Sequence, residues 1–316
     1  MGQHHVFIMD SPTTVLVDED TTFALMLEAQ SRGHRIDHCL VTDLFLREGR
    51  VFARTTPVTA QRVASQPLLL GDPETVCLED VDVVFIRKDP PFESNYLYCT
   101  LLLDQLQGKT LVVNRPSGLR TANEKLYACR FPALMPKTLV TSHKGQIKAF
   151  LEQEVEGRAV IKPLDGAGGA GVMALMAGDL NVNAIIEAVT REGTRLAMVQ
   201  AFLPKVTEGD KRILLLNGEP LGAILRVPQQ GDVRSNIHVG GSVQSSLLTP
   251  EDTHIVETLA PHLRADGLFF VGLDVIGGKL TEVNVTSPTG IQQMERLDQQ
   301  NYCGRVITWA ETFRDE

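Results

Sequence analysis

The sequence has no cluster of basic residues and only five cysteines, and each scarcity excludes a class of function. Its formal net charge is −9, with 30 lysines and arginines dispersed among 39 acidic residues, so we do not expect nucleic acid as a partner. The cysteines are odd in number and none forms a C-x-x-C pair, which leaves a disulfide framework and a structural zinc site without support. We expect free thiols in a reducing compartment.

Long hydrophobic runs are also missing. No apolar stretch approaches the roughly 20 residues that a membrane-spanning helix needs. The first ten residues, MGQHHVFIMD, lack the basic segment and long apolar run of a signal peptide. We therefore expect no membrane partner and a cytoplasmic location.

The first 121 residues alternate strand and helix patterns. Apolar runs predict strands at 6–9, 35–41, 81–86 and 110–114. A helix is predicted where Phe23, Met26 and Leu27 share one face and Gly33 follows, and a second at 94–107. This alternation predicts an open α/β sheet with parallel strands, which we assign to residues 1–121.

The pattern of residues 122–316 predicts an α+β arrangement. Between 122 and 199, helices are predicted at 124–130, 143–154 and 182–192, and strands at 137–141, 159–163, 172–176 and 196–202. Within 200–316, Asn217-Gly218 predicts a hairpin between strands at 212–216 and 221–227. A polar loop at 228–246, a helix at 250–265 and a strand at 269–276 follow.

The glycine-rich stretch from Gly166 to Gly171 is the first candidate for chemistry. Gly166, Gly168 and Gly171 formally fit G-x-G-x-x-G, but strand-like residues follow where a dinucleotide site needs a helix. No G-K-[ST] closes a Walker loop either. The remaining interpretations are a flexible surface turn and a flap whose backbone N–H groups cover phosphates. Lys162, on the strand entering the loop, favours the phosphate flap, and Lys125 is a second candidate.

Three oxygen-bearing side chains form the second candidate site. Glu282 and Asn284 lie two residues apart, so on a strand they share a face. A three-residue loop, Gly277-Gly278-Lys279, would set Asp274 directly across from Glu282, whereas a two-residue turn would set it across from Thr281. We predict the three-residue loop. The resulting oxygen cluster suits Mg²⁺, with an acidic face lying in solvent as the alternative.

A set of arginines is the third candidate. Each one alone is more often a surface residue than a ligand, but a guanidinium can grip a carboxylate or a phosphate with two parallel hydrogen bonds. The set consists of Arg87, Arg212, Arg226 and Arg234.

Taken in order, these motifs resemble bacterial glutathione synthetase, a family of the ATP-grasp superfamily. The segments that carry the resemblance are Arg87-Lys-Asp-Pro-Pro-Phe92, Asn123-Glu-Lys125, the stretch from Lys162 to Gly171, Gly209-Asp-Lys-Arg212, Val271-Gly-Leu-Asp274 and Thr281-Glu-Val-Asn-Val-Thr-Ser-Pro-Thr289. The first and last of these segments are specific to the family. The whole set of segments covers the chain from the first strand to about residue 290. The tail beyond Gln293 matches weakly.

The resemblance implies an ATP-dependent ligase that joins γ-glutamylcysteine to glycine through an acyl phosphate. It implies an ATP-grasp fold after the N-terminal sheet, with a small lid subdomain at 122–199 and a subdomain carrying the metal site at 200–316. It also implies Mg²⁺, or Mn²⁺ in its place, and a homotetramer.

The resemblance further implies a role for each site residue. Asp274, Glu282 and Asn284 would hold the metal, and Arg226, Arg234 and Lys162 would act in catalysis. Arg87, Asn284, Thr286, Ser287 and Thr289 would bind the dipeptide. ATP would be bound by Lys125, Lys162, Gly166, Gly168, Gly169, Gly171, Gln200, Phe202, Leu203, Asp210 and Arg212. The polar loop at 228–246 would close as a lid.

Three other functions remain open at this point. Another ATP-grasp carboxylate–amine ligase would use the same constellation with a different acceptor. A nucleotide-binding regulatory module would keep the fold without turnover. A dehydrogenase is the third alternative, and the strand after the glycine loop argues against it.

Overall fold

The computed structural model describes residues 2–166, 168–228 and 242–313, and within them the strands form three sheets. The first sheet has the order β3-β4-β2-β1-β7-β8, with β5 and β6 also paired to β4. Its strands are β1 (His4–Ile8), β2 (Arg35–Cys39), β3 (Leu44–Arg47), β4 (Arg50–Ala60), β5 (Leu68–Leu70), β6 (Glu74–Cys77), β7 (Val83–Ile86) and β8 (Leu111–Val113).

The predicted parallel α/β sheet is confirmed. Strand β1 pairs in parallel with β2 and β7, and β7 pairs in parallel with β8. The crossover helices are α1 (Thr21–Ser31), between β1 and β2, and α2 (Ser94–Leu103), between β7 and β8, and a further helix, α3 (Pro116–Thr121), follows β8. Asp20 caps α1 by accepting a hydrogen bond from the backbone N–H of Phe23, and Gly33 adopts the positive φ that ends such helices. The antiparallel strands β3 to β6 were not predicted.

The second sheet has the order β11-β10-β12-β9 and is antiparallel throughout. It contains β9 (Thr138–Thr141), β10 (Arg158–Pro163), β11 (Met173–Met176) and β12 (Ala197–Ala201), with α4 (Lys144–Gln153) and α5 (Val182–Thr190) packed on it. The glycine-rich loop therefore joins two strands, as predicted, and these strands pair antiparallel.

The third sheet has the order β15-β14-β13-β16-β17. It contains β13 (Asp210–Leu216), β14 (Glu219–Val227), β15 (Ser242–Ser246), β16 (Phe270–Ile276) and β17 (Lys279–Asn284), and its helices are α6 (Pro250–Ala265), α7 (Ile291–Asp298) and α8 (Tyr302–Thr312). The hairpin at Asn217-Gly218 is confirmed, because both residues have positive φ and Leu216 pairs with Glu219.

Two sequence-based assignments are wrong. Residues 124–130 do not form an α-helix: the side chain of Asn123 accepts hydrogen bonds from the N–H groups of Lys125 and Leu126 and so caps a single turn, and the chain continues only as a 3-10 turn at Ala128–Arg130. The polar loop at 228–246 ends in a strand, because Ser242–Ser246 pairs with the edge of β14. Residues 229–241 lie outside the described part of the chain.

One asparagine ties the first sheet to the third. The side-chain amide of Asn114, directly after β8, donates to the backbone oxygens of Phe270 and Val285 at 2.9 and 2.7 Å. Its oxygen accepts from the N–H of Phe270 at 2.7 Å. These buried bonds place the carboxyl end of the parallel sheet beside the hairpin of β16 and β17. Among the described helices, none is long and apolar enough to cross a membrane.

We expect Gly118→Ala to destabilise the protein. A Cβ added at Gly118 in α3 would lie 2.2 Å from the backbone oxygen of Asp266, so the two segments would have to separate. Overpacking of this kind lowers the free energy of unfolding by about 1–3 kcal/mol. Gly145→Ala in α4 is the matched control, since no atom lies within 4 Å of its added Cβ, and it should gain up to about 1 kcal/mol of helix stability. Urea unfolding of both variants checks this, and equal effects of the two substitutions would contradict it.

Candidate active site

The β16–β17 hairpin brings the predicted acidic residues together. Asp274 pairs directly with Glu282, and Gly272 pairs with Asn284, so the three polar side chains share one face of the sheet. The predicted three-residue loop is wrong, because Ile276 pairs with Lys279 across a two-residue turn. The register shifts after Asp274, which leaves Thr281 as the extra residue of a β-bulge. The bulge, rather than the loop, restores the predicted pairing.

Asp274 is held between two arginines. Its carboxylate accepts two hydrogen bonds from Arg212, at 2.6 and 3.0 Å, and lies 2.8 Å from a nitrogen of Arg226. The amide of Asn284 donates to it at 3.1 Å. Burial alone would raise the pKa of Asp274, but the two guanidinium groups outweigh that effect and hold it well below its usual range. The clamp therefore keeps Asp274 ionised and fixes both arginines at the cavity wall.

Glu282 faces two lysines. Its carboxylate lies 3.5 Å from Nζ of Lys125 and 3.4 Å from Nζ of Lys162. Lys125 also donates to the backbone oxygen of Gly166 at 2.7 Å, which joins this group to the glycine-rich loop. Burial lowers the pKa of Lys162, while Glu282 opposes the shift. Two ammonium groups thus lie close together beside the loop that covers them.

A cavity of about 450 Å³ opens in front of these groups. Most of the predicted ATP, metal and dipeptide residues line it: Lys125, Lys162, Gly166, Gly168, Gly169, Gln200, Phe202, Leu203, Asp210, Arg212, Arg226, Asp274, Glu282, Asn284, Thr286, Ser287 and Thr289. Gly171 is not among the lining residues and packs against Pro163. Arg234 lies outside the described residues.

A second cavity of about 240 Å³ adjoins the first and contains Arg87. The two cavities share Asp89, Arg226, Ser287 and Thr289. Arg87 is buried at the end of β7, where it donates to the hydroxyl of Thr22 at 3.1 Å and to the backbone oxygen of Pro288 at 2.9 Å. This cavity lies at the carboxyl ends of parallel strands, the usual place for ligands in open α/β sheets.

Sequence reasoning missed several residues of the site. Glu124 belongs to the Asn123-Glu-Lys125 motif but received no role, and its carboxylate accepts a hydrogen bond from Thr286 at 3.1 Å. Burial raises the pKa of Glu124, and the nearby Glu282 raises it further. The acidic residues Asp10 and Asp20 line the second cavity. Only the motif around Glu124 gave a signal in the sequence.

The donor set fits a divalent cation that prefers oxygen. Within the described residues, no group of three or more histidine, cysteine or acidic side chains can hold a metal. The site instead offers two carboxylates and one amide oxygen, a set that leaves several positions for phosphate oxygens and water, as Mg²⁺ commonly has. Hydrogen bonds from Arg212, Arg226 and Asn284 already reach both oxygens of Asp274, so the Glu282 carboxylate is the more open ligand.

Comparison with known proteins identifies both parts of the chain. The model of the prokaryotic glutathione synthetase N-terminal domain matches residues 4–120, and the model of the ATP-grasp domain of the same family matches residues 124–299. The glutathione synthetase of Thermosynechococcus vestitus is 46% identical over 313 residues, covering 96% of this chain and 98% of the relative. That of Salmonella typhimurium is 42% identical over 290 residues, covering 91% of each chain.

Solved structures show a similar fold at much lower identity. D-cycloserine synthetase DcsG superposes with a TM-score of 0.69 at 14% identity, over 97% of this chain and 99% of that one. The ATP-grasp ligase PsnB, in a complex with Mg and ADP, gives 0.65 at 16% identity over 98% of both chains. These likenesses establish the ATP-grasp fold and say nothing further of the substrates.

We expect Asp274→Asn to destabilise the protein strongly. The substitution leaves Arg212 and Arg226 buried without their shared carboxylate, and breaking a buried ion pair on one side typically lowers the free energy of unfolding by about 3–5 kcal/mol. Asp80→Asn is the control, because Asp80 is exposed and its pair with Arg50 is screened by solvent, so its loss should change stability little. Urea unfolding measures both, and a small loss at Asp274 would show that the clamp is not structural.

Proposed function

The chain belongs to the prokaryotic glutathione synthetase family and is an ATP-dependent ligase, and we propose that it joins the carboxylate of γ-glutamylcysteine to the amine of glycine through an acyl phosphate. A carboxylate is a poor electrophile because resonance and solvation stabilise it. Transfer of the γ-phosphate of ATP gives it a good leaving group. Attack by the amine then forms the amide and releases phosphate, while ADP remains from the first step.

The ATP phosphates are proposed to lie between the two lysines and the glycine-rich loop. Lys125 and Lys162 are both buried and flank Glu282, so a triphosphate can replace that carboxylate as their anionic partner. Gly168 and Gly169 adopt positive φ and line the cavity. Because glycine has no side chain, the loop presents bare backbone to the cavity at these positions. The adenine is assigned to the cavity wall at Gln200, Phe202 and Leu203, with Asp210 and Arg212 nearby.

The metal is proposed to be Mg²⁺, with Mn²⁺ as a substitute. Glu282 and Asn284 would hold it on the face of β17 that lines the cavity. Asp274 is the third proposed ligand, and a direct bond from it requires one of its present hydrogen bonds to be given up. When bound, the metal neutralises charge on the phosphate oxygens.

The dipeptide is proposed to lie in the second cavity with its reacting carboxylate toward Arg226. Arg87, Ser287 and Thr289 line this cavity, and Asn284 and Thr286 lie in the adjoining one. Arg226 belongs to both cavities, so it can contact the carboxylate where the γ-phosphate arrives. Its guanidinium is positioned in advance by Asp210 at 2.6 Å and Asp274 at 2.8 Å, which favours charge stabilisation without reorganisation. The catalytic role of Arg234 stays a prediction.

Three wider assignments belong to the same proposal. We divide the chain into an N-terminal substrate domain at 1–121, a lid subdomain at 122–199 and a metal-site subdomain at 200–316, since each range contains one of the three sheets except for the last two residues of β12. The family resemblance supports a homotetramer. Free cysteines at all five positions are consistent with a reducing cytoplasm.

A coupled assay of ADP release tests the reaction. The proposal depends on one observation, that Lys125 and Lys162 both contact the Glu282 carboxylate beside the glycine-rich loop. We expect ADP release that requires both γ-glutamylcysteine and glycine, with glutathione formed in equal amount. Replacing glycine by other small amines defines the acceptor. Release of ADP with a different donor, or protection against thermal unfolding by NAD rather than ATP, would overturn the proposal.

We expect Glu282→Gln to lower kcat by about 100-fold or more, because it removes the open metal ligand. The concentration of Mg²⁺ needed for half-maximal rate should rise as well. Since Glu282 is partly exposed, the folded state should persist, which thermal unfolding can verify. Glu219→Gln, at an exposed glutamate of β14, is the control and should behave as the wild type. Full activity of Glu282→Gln would refute the metal assignment.

A further inference from the structure

Glu124 presents a carboxylate to the main cavity and forms no ion pair within the described residues. Two hydrogen bonds fix the backbone here. The backbone oxygen of Glu124 accepts from the N–H of Val283 at 2.8 Å, and the side-chain amide of the preceding Asn123 donates to the backbone oxygen of Leu164 at 3.0 Å. The side chain of Glu124 accepts one hydrogen bond, from the hydroxyl of Thr286 at 3.1 Å. A carboxylate has room for about four such bonds, so most of its acceptor capacity is open.

The other inward-facing carboxylates of this cavity all have cationic partners. A lysine or arginine nitrogen lies within 3.5 Å of each of Asp210, Asp274 and Glu282. Glu124 forms no salt bridge within the described residues, and Asp89, the remaining acidic lining residue, is exposed. Lys125 and Arg212 act on Glu124 through space, but neither forms an ion pair with it. A largely desolvated anion that no cation contacts is unfavourable, so a bound cation is expected to complete this position.

The substrates supply two ammonium groups, and the two cavities separate them. In the proposed binding mode, the γ-glutamyl end of the dipeptide lies in the second cavity, which Asp10 and Asp20 line. Glu124 is not part of that cavity. It lines the main cavity together with Arg226, beside which the reacting carboxylate is proposed to lie. An ammonium held by Glu124 is therefore on the side from which the acceptor must approach.

Building on the proposed function, we propose that Glu124 binds the ammonium group of the acceptor amino acid and so determines acceptor affinity and orientation. Thr286 supports it by fixing the carboxylate through its hydroxyl. The chemistry recognised is a small molecule with a primary ammonium, which passes one proton to the Glu124 carboxylate before its nitrogen attacks the acyl phosphate and displaces phosphate. Formation of the acyl phosphate involves only ATP and the dipeptide, and it does not depend on Glu124.

A comparison of two nucleophiles distinguishes a role of Glu124 in binding the acceptor ammonium from a general effect on catalysis. Glycine approaches as a cation, whereas hydroxylamine is largely uncharged at neutral pH and traps acyl phosphates as hydroxamates. With Glu124→Gln we expect kcat/KM for glycine to fall about 10- to 100-fold, the range for loss of a charge-assisted hydrogen bond, with a higher KM for glycine. Hydroxamate formation and the KM for γ-glutamylcysteine should stay within about twofold of the wild type. Glu124→Asp keeps the charge and should recover part of the loss.

The controls distinguish this inference from the proposed reaction. Glu257→Gln, on the exposed face of α6, removes the same charge elsewhere and should leave both assays unchanged. Absence of hydroxamate with the wild-type protein would refute the acyl phosphate, and with it the proposed reaction. Equal losses with glycine and hydroxylamine, a higher KM for the dipeptide alone, or a higher Mg²⁺ requirement in Glu124→Gln would overturn the role of Glu124. If Glu124→Gln does not fold, Glu124→Asp must show the glycine-selective loss on a smaller scale.

Discussion

The pairing of Asp274 with Glu282 across one hairpin determines where the charges of the site lie. Asp274 orients the two arginines on one side, and Glu282 holds the two lysines on the other. Because the two carboxylates are direct cross-strand neighbours, these cations converge on one cavity. Neither carboxylate could be moved to the opposite face without separating the arginines from the lysines.

This arrangement prepares the cavity for highly charged ligands. Four cations near one another are unfavourable unless anions separate them, and in the described structure the protein provides those anions itself. In the proposed complex with ATP, phosphate oxygens replace Glu282 as partners of the lysines, which frees its carboxylate for a metal. The binding groups therefore exist in position before the substrates arrive, and less reorganisation is needed during reaction.

The sequence predicted those parts of the site that depend on local rules. Two-residue spacing put Glu282 and Asn284 on one face, and Asn217-Gly218 predicted its hairpin, because side-chain alternation and turn geometry are set by neighbouring residues. The bulge at Thr281 and the pairing of Ser242–Ser246 depend on partner strands, so no local pattern revealed them. Residues 124–130 resembled a helix because their apolar spacing is compatible with one, but the turn capped by Asn123 continues only as a 3-10 turn. Glu124 was overlooked because its lack of a cationic partner is visible only in three dimensions.

Anomalous diffraction from crystals containing Mn²⁺ and a non-hydrolysable ATP analogue tests the central claim most directly. A manganese signal bonded to the carboxylate of Glu282, with the triphosphate between Lys125 and Lys162, is the predicted result. A metal bound away from the β16–β17 hairpin, with the Glu282 carboxylate still contacting both lysines, would contradict the account.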